Sequence, residues 1–194
     1  DAQFNGPRNI AIDSSGNIYV TDYGNRRVKK FDSDGVYLSD IGSAGFVDGT
    51  FFSPVGIAID SSDNVYVSDE VYAKVEKFDS DGVYLEKWQN GFVFGPGGGL
   101  GVDEADNIYV VDTNNSRIQK FDSNGAYLSE FGSSDPGDDH LATPTTVAID
   151  SQGIIYVTNT GTTNVIKKFD SSGTYLGQFG STGSDDGEFS TPYR

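Results

Sequence analysis

One thirteen-residue phrase recurs four times along this chain with little change. IAIDSSGNIYVTD at Ile10–Asp22 returns as IAIDSSDNVYVSD at Ile57–Asp69, as LGVDEADNIYVVD at Leu100–Asp112 and as VAIDSQGIIYVTN at Val147–Asn159. The Asp that closes the first apolar run stands at Asp13, Asp60, Asp103 and Asp150, with spacings of 47, 43 and 47 residues. A Phe-Asp pair begins at Phe31, Phe78, Phe121 and Phe169, with spacings of 47, 43 and 48. A repeat this strict dictates architecture, because each unit must bury its apolar faces against copies of itself.

The first repeat reads as four short strands. Asn9–Ile12 is an apolar run too brief for a helix, and Asp13-Ser14-Ser15-Gly16-Asn17 is a turn in which Asp and Ser bond local amides. Ile18–Thr21 forms strand b, Asp22–Asn25 turns, and Arg27–Phe31 alternates polar and apolar residues as strand c. After Asp32-Ser33-Asp34-Gly35, Tyr37–Ile41 supplies strand d, and a Gly-rich connection leads to the next strand a. Four-stranded antiparallel meanders with a period of about 40–50 residues are propeller blades. The predicted fold is therefore all-β, a β-propeller array spanning 1–194 with blades near 4–46, 51–90, 94–134 and 141–183. Residues 184–194 read as the lead-in to a further blade. Three outcomes are open, a closed four-blade ring, a half-ring that pairs with another copy, or a slice of a longer array; uncovered apolar faces on the end blades favour self-association into a larger ring.

The fuller pattern, seen at Pro7–Gly35, resembles the NHL repeat. Blade three keeps it in Asp112, Asn115, Arg117 and Phe121; blade two replaces the Gly-Asn turn with Glu70-Val71-Tyr72-Ala73, and blade four has Asn159 for the Asp. The resemblance implies a β-propeller, usually of six blades, that serves most often as a binding platform and occasionally as a lyase or related enzyme.

Composition narrows the function. Twenty-nine acids against 13 bases leave a net charge of −16, which disfavours nucleic-acid binding through phosphate contacts. No apolar run is long enough for membrane insertion. The absence of cysteine removes disulfides, thiolate metal sites and a thiol nucleophile. Richness in Asp, Ser, Thr and Gly with few Lys points to a secreted or cell-surface setting. His140 is the only histidine, so a multi-histidine zinc site cannot be assembled within one chain.

Two ends of the blades carry candidate sites. The a–b and c–d turns share one end and collect 13 of the 29 acids; Asp13, Asp60, Asp103 and Asp150 would stand nearest the axis there. Clustered carboxylates are the donor set of a hard cation such as calcium, whereas the plainer role of each Asp is to organise its own turn. The opposite end holds the b–c turns and the d–a connections. Tyr23, Tyr72, Asn114 and Thr160 are expected at equivalent turn positions, with Arg26, Arg27 and Arg117 nearby, as anchors for a protein or glycan partner. Asn114-Asn115-Ser116 is a glycosylation sequon on that loop, and Gly95-Pro96-Gly97-Gly98-Gly99 would let backbone approach a neighbour closely. The lysines of strand c, among them Lys29, Lys30, Lys77, Lys120, Lys167 and Lys168, are expected to reach water from the rim.

The predicted function is a non-catalytic interaction or assembly module, without a cofactor, that binds a protein or glycan through the b–c and d–a end. One alternative is a calcium-dependent lactonase- or lyase-like enzyme using the axial carboxylates. Another is a structural repeat of a larger surface protein.

Overall fold

The computed structural model describes residues 3–95, 97–161 and 163–192. Pro96 of the glycine-rich run and the last two residues of the lead-in lie outside the described residues. The fold is all-β, with four antiparallel four-stranded blades of β-propeller type, each ordered along the chain. Blade one comprises β1 (Pro7–Ile12), β2 (Ile18–Asp22), β3 (Arg27–Phe31) and β4 (Tyr37–Ile41). A short parallel pair, β5 (Ser43–Ala44) and β6 (Thr50–Phe51), spans the following connection. Blade two comprises β7 (Pro54–Ile59), β8 (Val65–Asp69), β9 (Lys74–Phe78) and β10 (Tyr84–Trp88). Blade three comprises β11 (Leu100–Val102), β12 (Ile108–Asp112), β13 (Arg117–Phe121) and β14 (Tyr127–Phe131). Blade four comprises β15 (Thr143–Ile149), β16 (Ile155–Thr160), β17 (Val165–Phe169) and β18 (Tyr175–Phe179). Strand a of blade one is longer than the apolar run suggests, because Pro7 pairs with Asp22 across a register shift before Ile10.

The chain divides into two compact units, Asp1–Phe92 and Val93–Arg194, each with two blades. Within each unit the blades pack face to face, as strands with two apolar faces require. In the first unit Tyr19, Val28 and Ile41 of blade one close on Ile57, Val65, Val67 and Phe78 of blade two, with Phe51 of the connection in the same cluster. In the second, Tyr109, Ile118 and Phe131 of blade three close on Val147, Ile155, Val157 and Phe169 of blade four, with Leu141 taking the place of Phe51. Aromatic pairs stiffen both seams: Phe51 and Phe78 lie 5.6 Å apart, and Phe131 and Phe169 lie 4.9 Å apart.

The lysines of strand c correct the expectation of a solvated rim. Lys29 is completely buried, Lys77 and Lys167 are buried, and Lys30, Lys120 and Lys168 are half-buried. Residues two apart share a face of a strand, so Lys29 lies on the same side as Phe31 and goes inward with it. The half-buried lysines cover seams. Lys30 sits 5.0 Å over the Tyr19 ring and donates to the Ser80 carbonyl of the next blade at 2.9 Å. Lys120 sits 4.8 Å over Tyr109 and reaches the Ser171 carbonyl at 3.4 Å.

Candidate functional site

At the acidic end, every first-turn Asp is the hub of its own turn. Asp13 Oδ1 accepts from the Ser15 and Asn17 amides at 3.0 and 2.8 Å, while Oδ2 accepts from Asn17 Nδ2 at 2.8 Å and the Tyr19 hydroxyl at 3.0 Å. Asp60 repeats this with Ser62, Asn64 and Tyr66. Asp103 repeats it with Ala105, Asn107 and Tyr109, and Lys120 Nζ lies 3.3 Å from its Oδ2. Asp150 keeps the two amides and the Tyr156 hydroxyl but has Ile154 where the others have Asn. Burial acts to raise the Asp103 carboxyl, and the Asn107 and Tyr109 hydrogen bonds with the Lys120 charge outweigh it, holding the group below the usual carboxylate range. Asp103 and Asp150 line an open recess of about 240 Å³ together with Glu104, Ala105, Ser151, Gln152 and Gly153. Among the described residues, no three of His, Cys, Asp and Glu converge on a metal-sized site. What the geometry supplies here is turn organisation, with most acceptor positions of the four carboxylates already used.

The opposite end is built on a second Asp, which closes strand b. Asp22, Asp69 and Asp112 are fully buried, and each ties its b–c turn to the connection that enters its own blade. Asp22 accepts from the Asn5 amide at 2.7 Å and Asn25 Nδ2 at 2.7 Å. Asp69 accepts from the Phe52, Val71 and Tyr72 amides at 2.7, 3.1 and 3.1 Å. Asp112 accepts from the Val93 amide at 2.7 Å, Asn115 Nδ2 at 2.9 Å and Arg117 Nε at 2.8 Å. Asn159 holds Thr143 in the same way, through a longer bond of 3.2 Å.

The predicted anchors do not occupy one equivalent position. The register pairs Asp22 with Arg27, Asp69 with Lys74 and Asp112 with Arg117. Tyr23 therefore matches Glu70 and Thr113, whereas Tyr72 matches Asn25 and Asn115, and Asn114 matches Gly24 and Val71. Thr160 is buried and donates to the Thr143 carbonyl at 3.1 Å. Arg27 and Arg117 are held by Asp40 and Glu130, each at 2.7 Å. Asn114 is exposed on its short turn and donates to the Phe94 carbonyl at 3.2 Å. Gly97 and Gly99 do meet a neighbour closely, since side chains there would run into the Thr145 and Thr146 backbone.

What the structure does bring together is an aromatic cluster on the first unit. Tyr72 takes Phe46 edge-on at 6.1 Å and Phe52 edge-on at 5.8 Å; Arg26, in the left-handed region at φ 58°, lies 4.1 Å over the Phe52 ring; and Tyr23 carries Arg8 at 4.5 Å. Phe46 is 82% exposed and Val47 is 69% exposed. Sequence reasoning missed Phe46, although a signal existed. Counting back from Pro54, Pro144 and Pro192, the position of Phe46 holds Pro136 and Ser184 in the later connections, so an apolar pair here departs from the chain's own repeat.

Comparison with known proteins agrees with this architecture. A virginiamycin B lyase from Staphylococcus aureus superposes with a TM-score of 0.70 at 14% identity over 94% of this chain and 55% of its own. A streptogramin B lyase gives 0.70 at 16% over 90% and 54%. The nidogen/laminin complex gives 0.71 at 22% over 91% and 64%. The chain thus spans little more than half the length of the lyases it matches, and the likeness is one of fold. No curated protein matches the sequence. The NHL repeat model matches residues 4–31 and 98–121, so blades one and three of this β-propeller-type fold each carry a match to the NHL repeat.

Proposed function

We propose that the chain is a non-catalytic interaction and assembly module of a secreted or cell-surface setting, whose b–c and d–a end captures a protein partner. The observation that carries this reading is the exposed Phe46, propped edge-on by Tyr72 at the tip of a connection. An aromatic side chain held outward by a second ring loses little conformational freedom on binding and brings a large apolar area, which is how interface anchors work. The similar fold in the nidogen/laminin complex is in keeping with a protein partner. The lyase-like alternative would draw on Asp13, Asp60, Asp103 and Asp150, whose oxygens accept hydrogen bonds from their own turns.

A photo-crosslinking amino acid at position 46, presented to the secreted proteins of the source, identifies the partner, and its affinity is then measured for the natural chain and for Phe46→Ser and Tyr72→Ala. The expected result is a loss of at least about tenfold in each variant. Unchanged affinity in both overturns the assignment. Binding only to a glycan panel, or calcium-dependent lactone hydrolysis, would favour the other readings.

A further inference from the structure

The blades are near copies of one another, so what the fold requires at a position recurs, and a departure from the repeat answers to something else. Four departures meet in one place on the first unit. Arg26 stands where the next two blades have Ala73 and Ser116, all three in the left-handed region at φ 58°, 49° and 57°, so the turn itself needs no guanidinium. Phe52, two residues before Pro54, stands where the residues two before Pro7, Pro144 and Pro192 are Asn5, Ala142 and Ser190. Tyr72 stands where Asn25 and Asn115 donate to the buried Asp of their turns. Phe46 stands where Pro136 and Ser184 follow the later blades. Contacts link the four in order: Arg26 lies over Phe52, Phe52 meets Tyr72 and Tyr72 meets Phe46.

Arg26 is the member of this row whose charge the packing leaves unanswered. Arg27 beside it is neutralised by Asp22 and Asp40, and Arg117 by Asp112 and Glu130. Among the described residues the Arg26 guanidinium has neither a carboxylate partner nor a hydrogen-bond acceptor, on a chain with 29 acids against 13 bases. At 4.1 Å from the centroid, the Phe52 ring covers one side of the cation and leaves its N–H donors for a planar acceptor.

Resting on the protein-capture reading above, we infer that the partner is engaged through an extended acidic segment. One Asp or Glu side chain of that segment takes the Arg26 guanidinium through paired N–H donors, and a neighbouring apolar side chain lies on Phe46 and Val47. Steps of 4.1, 5.8 and 6.1 Å along the row place the two contact points within about 16 Å of each other, the reach of about five extended residues. Charge singles out a peptide among anions. A sulfated glycan or a nucleic acid draws its affinity from several cations, and here it would meet Arg26 against a net charge of −16. A lone carboxylate beside an apolar side chain asks for one cation and one exposed aromatic ring, and both are present.

The test is a randomised peptide library displayed on phage and panned on the natural chain, with Phe46→Ser as the counter-selecting protein. Affinities of the selected peptides, made synthetically, are then measured. The peptides should carry an Asp or Glu within about five positions of an apolar residue. Arg26→Gln should lose at least about tenfold in affinity, and changing the peptide's acid to its amide should cost the natural chain as much but Arg26→Gln no more than about twofold. Added salt should weaken the natural chain and leave Arg26→Gln nearly unchanged. Lys168→Gln, a charge-matched change on the other unit, should bind as the natural chain does, which separates a contact at Arg26 from a general loss of positive charge. Circular dichroism checks that each variant folds. Phe46-dependent peptides without acidic residues, or additive losses in the mutant cycle, overturn the inference and leave the Phe46 anchor standing. Failure to select any Phe46-dependent peptide overturns both.

Discussion

Arg117 donates from Nε to Oδ2 of Asp112 over 2.8 Å, and the same carboxylate, completely buried, also receives the Val93 amide at 2.7 Å and Gln119 Nε2 at 2.9 Å. One side chain thereby fixes the end of β12, the turn after it and the connection that enters the blade. Its removal leaves several buried donors without an acceptor. Asp112→Ala should cost about 2–4 kcal/mol in urea unfolding, since lost partners and an unbalanced guanidinium act together. Arg117→Ala, at a partly exposed side chain, should cost only about 1 kcal/mol. Equal costs for the two would show that the ion pair, not the amide clamp, is what matters.

Much of this blade could be read from residues alone. Arg27–Phe31 and Tyr37–Ile41 are the observed limits of β3 and β4, because Gly, Asn and Asp turns punctuate a strict repeat. The inward path of Lys29 is equally legible from its two-residue offset to Phe31, since strand periodicity here outweighs the preference of an ammonium for water. Equivalence among turn residues was not legible at blade two, where Glu70-Val71-Tyr72-Ala73 shares no turn motif with Tyr23-Gly24-Asn25-Arg26 and only the strand register aligns them. The Phe46–Tyr72 contact joins a connection to a turn 26 residues later, and no local pattern encodes such a meeting.

Glu76 occupies the position of Lys29, Gln119 and Lys167, and all four are buried. Burial pushes its carboxyl up, against the pull of the Lys74 ammonium 2.8 Å away. A carboxyl whose folded pKa lies above its unfolded value contributes fully below the unfolded value and loses that contribution as pH rises through the folded one. The stability of the natural chain relative to Glu76→Gln should therefore fall as pH is raised from about 4 to about 7. Urea unfolding of both proteins across that range is the measurement; a difference that grows with pH would mean the Lys74 charge dominates.

The Tyr72 hydroxyl is buried and has no hydrogen-bond partner among the described residues, although its ring supports Phe46 and Phe52. Tyr72→Phe removes the unpaired oxygen and keeps the ring, so it should be neutral or stabilise by up to about 1 kcal/mol. Tyr72→Ala should destabilise by about 2 kcal/mol through lost apolar contact. Thermal melts distinguish the two, and a clear loss in Tyr72→Phe would place a bridging water on that hydroxyl.

Gly35 and Gly173 end equivalent c–d turns at φ values of 81° and 87°, so alanine meets similar backbone strain at both, of about 1 kcal/mol. Their surroundings differ. A Cβ at Gly173 would lie 2.6 Å from the Phe131 Cβ across the blade seam, while one at Gly35 meets nothing within 4 Å. Gly173→Ala must force the seam apart and should cost about 1–3 kcal/mol more than Gly35→Ala. Denaturant midpoints of the two variants give this difference directly. Equal costs would mean that the seam between blades three and four yields to an added methyl group and is looser than its buried rings imply.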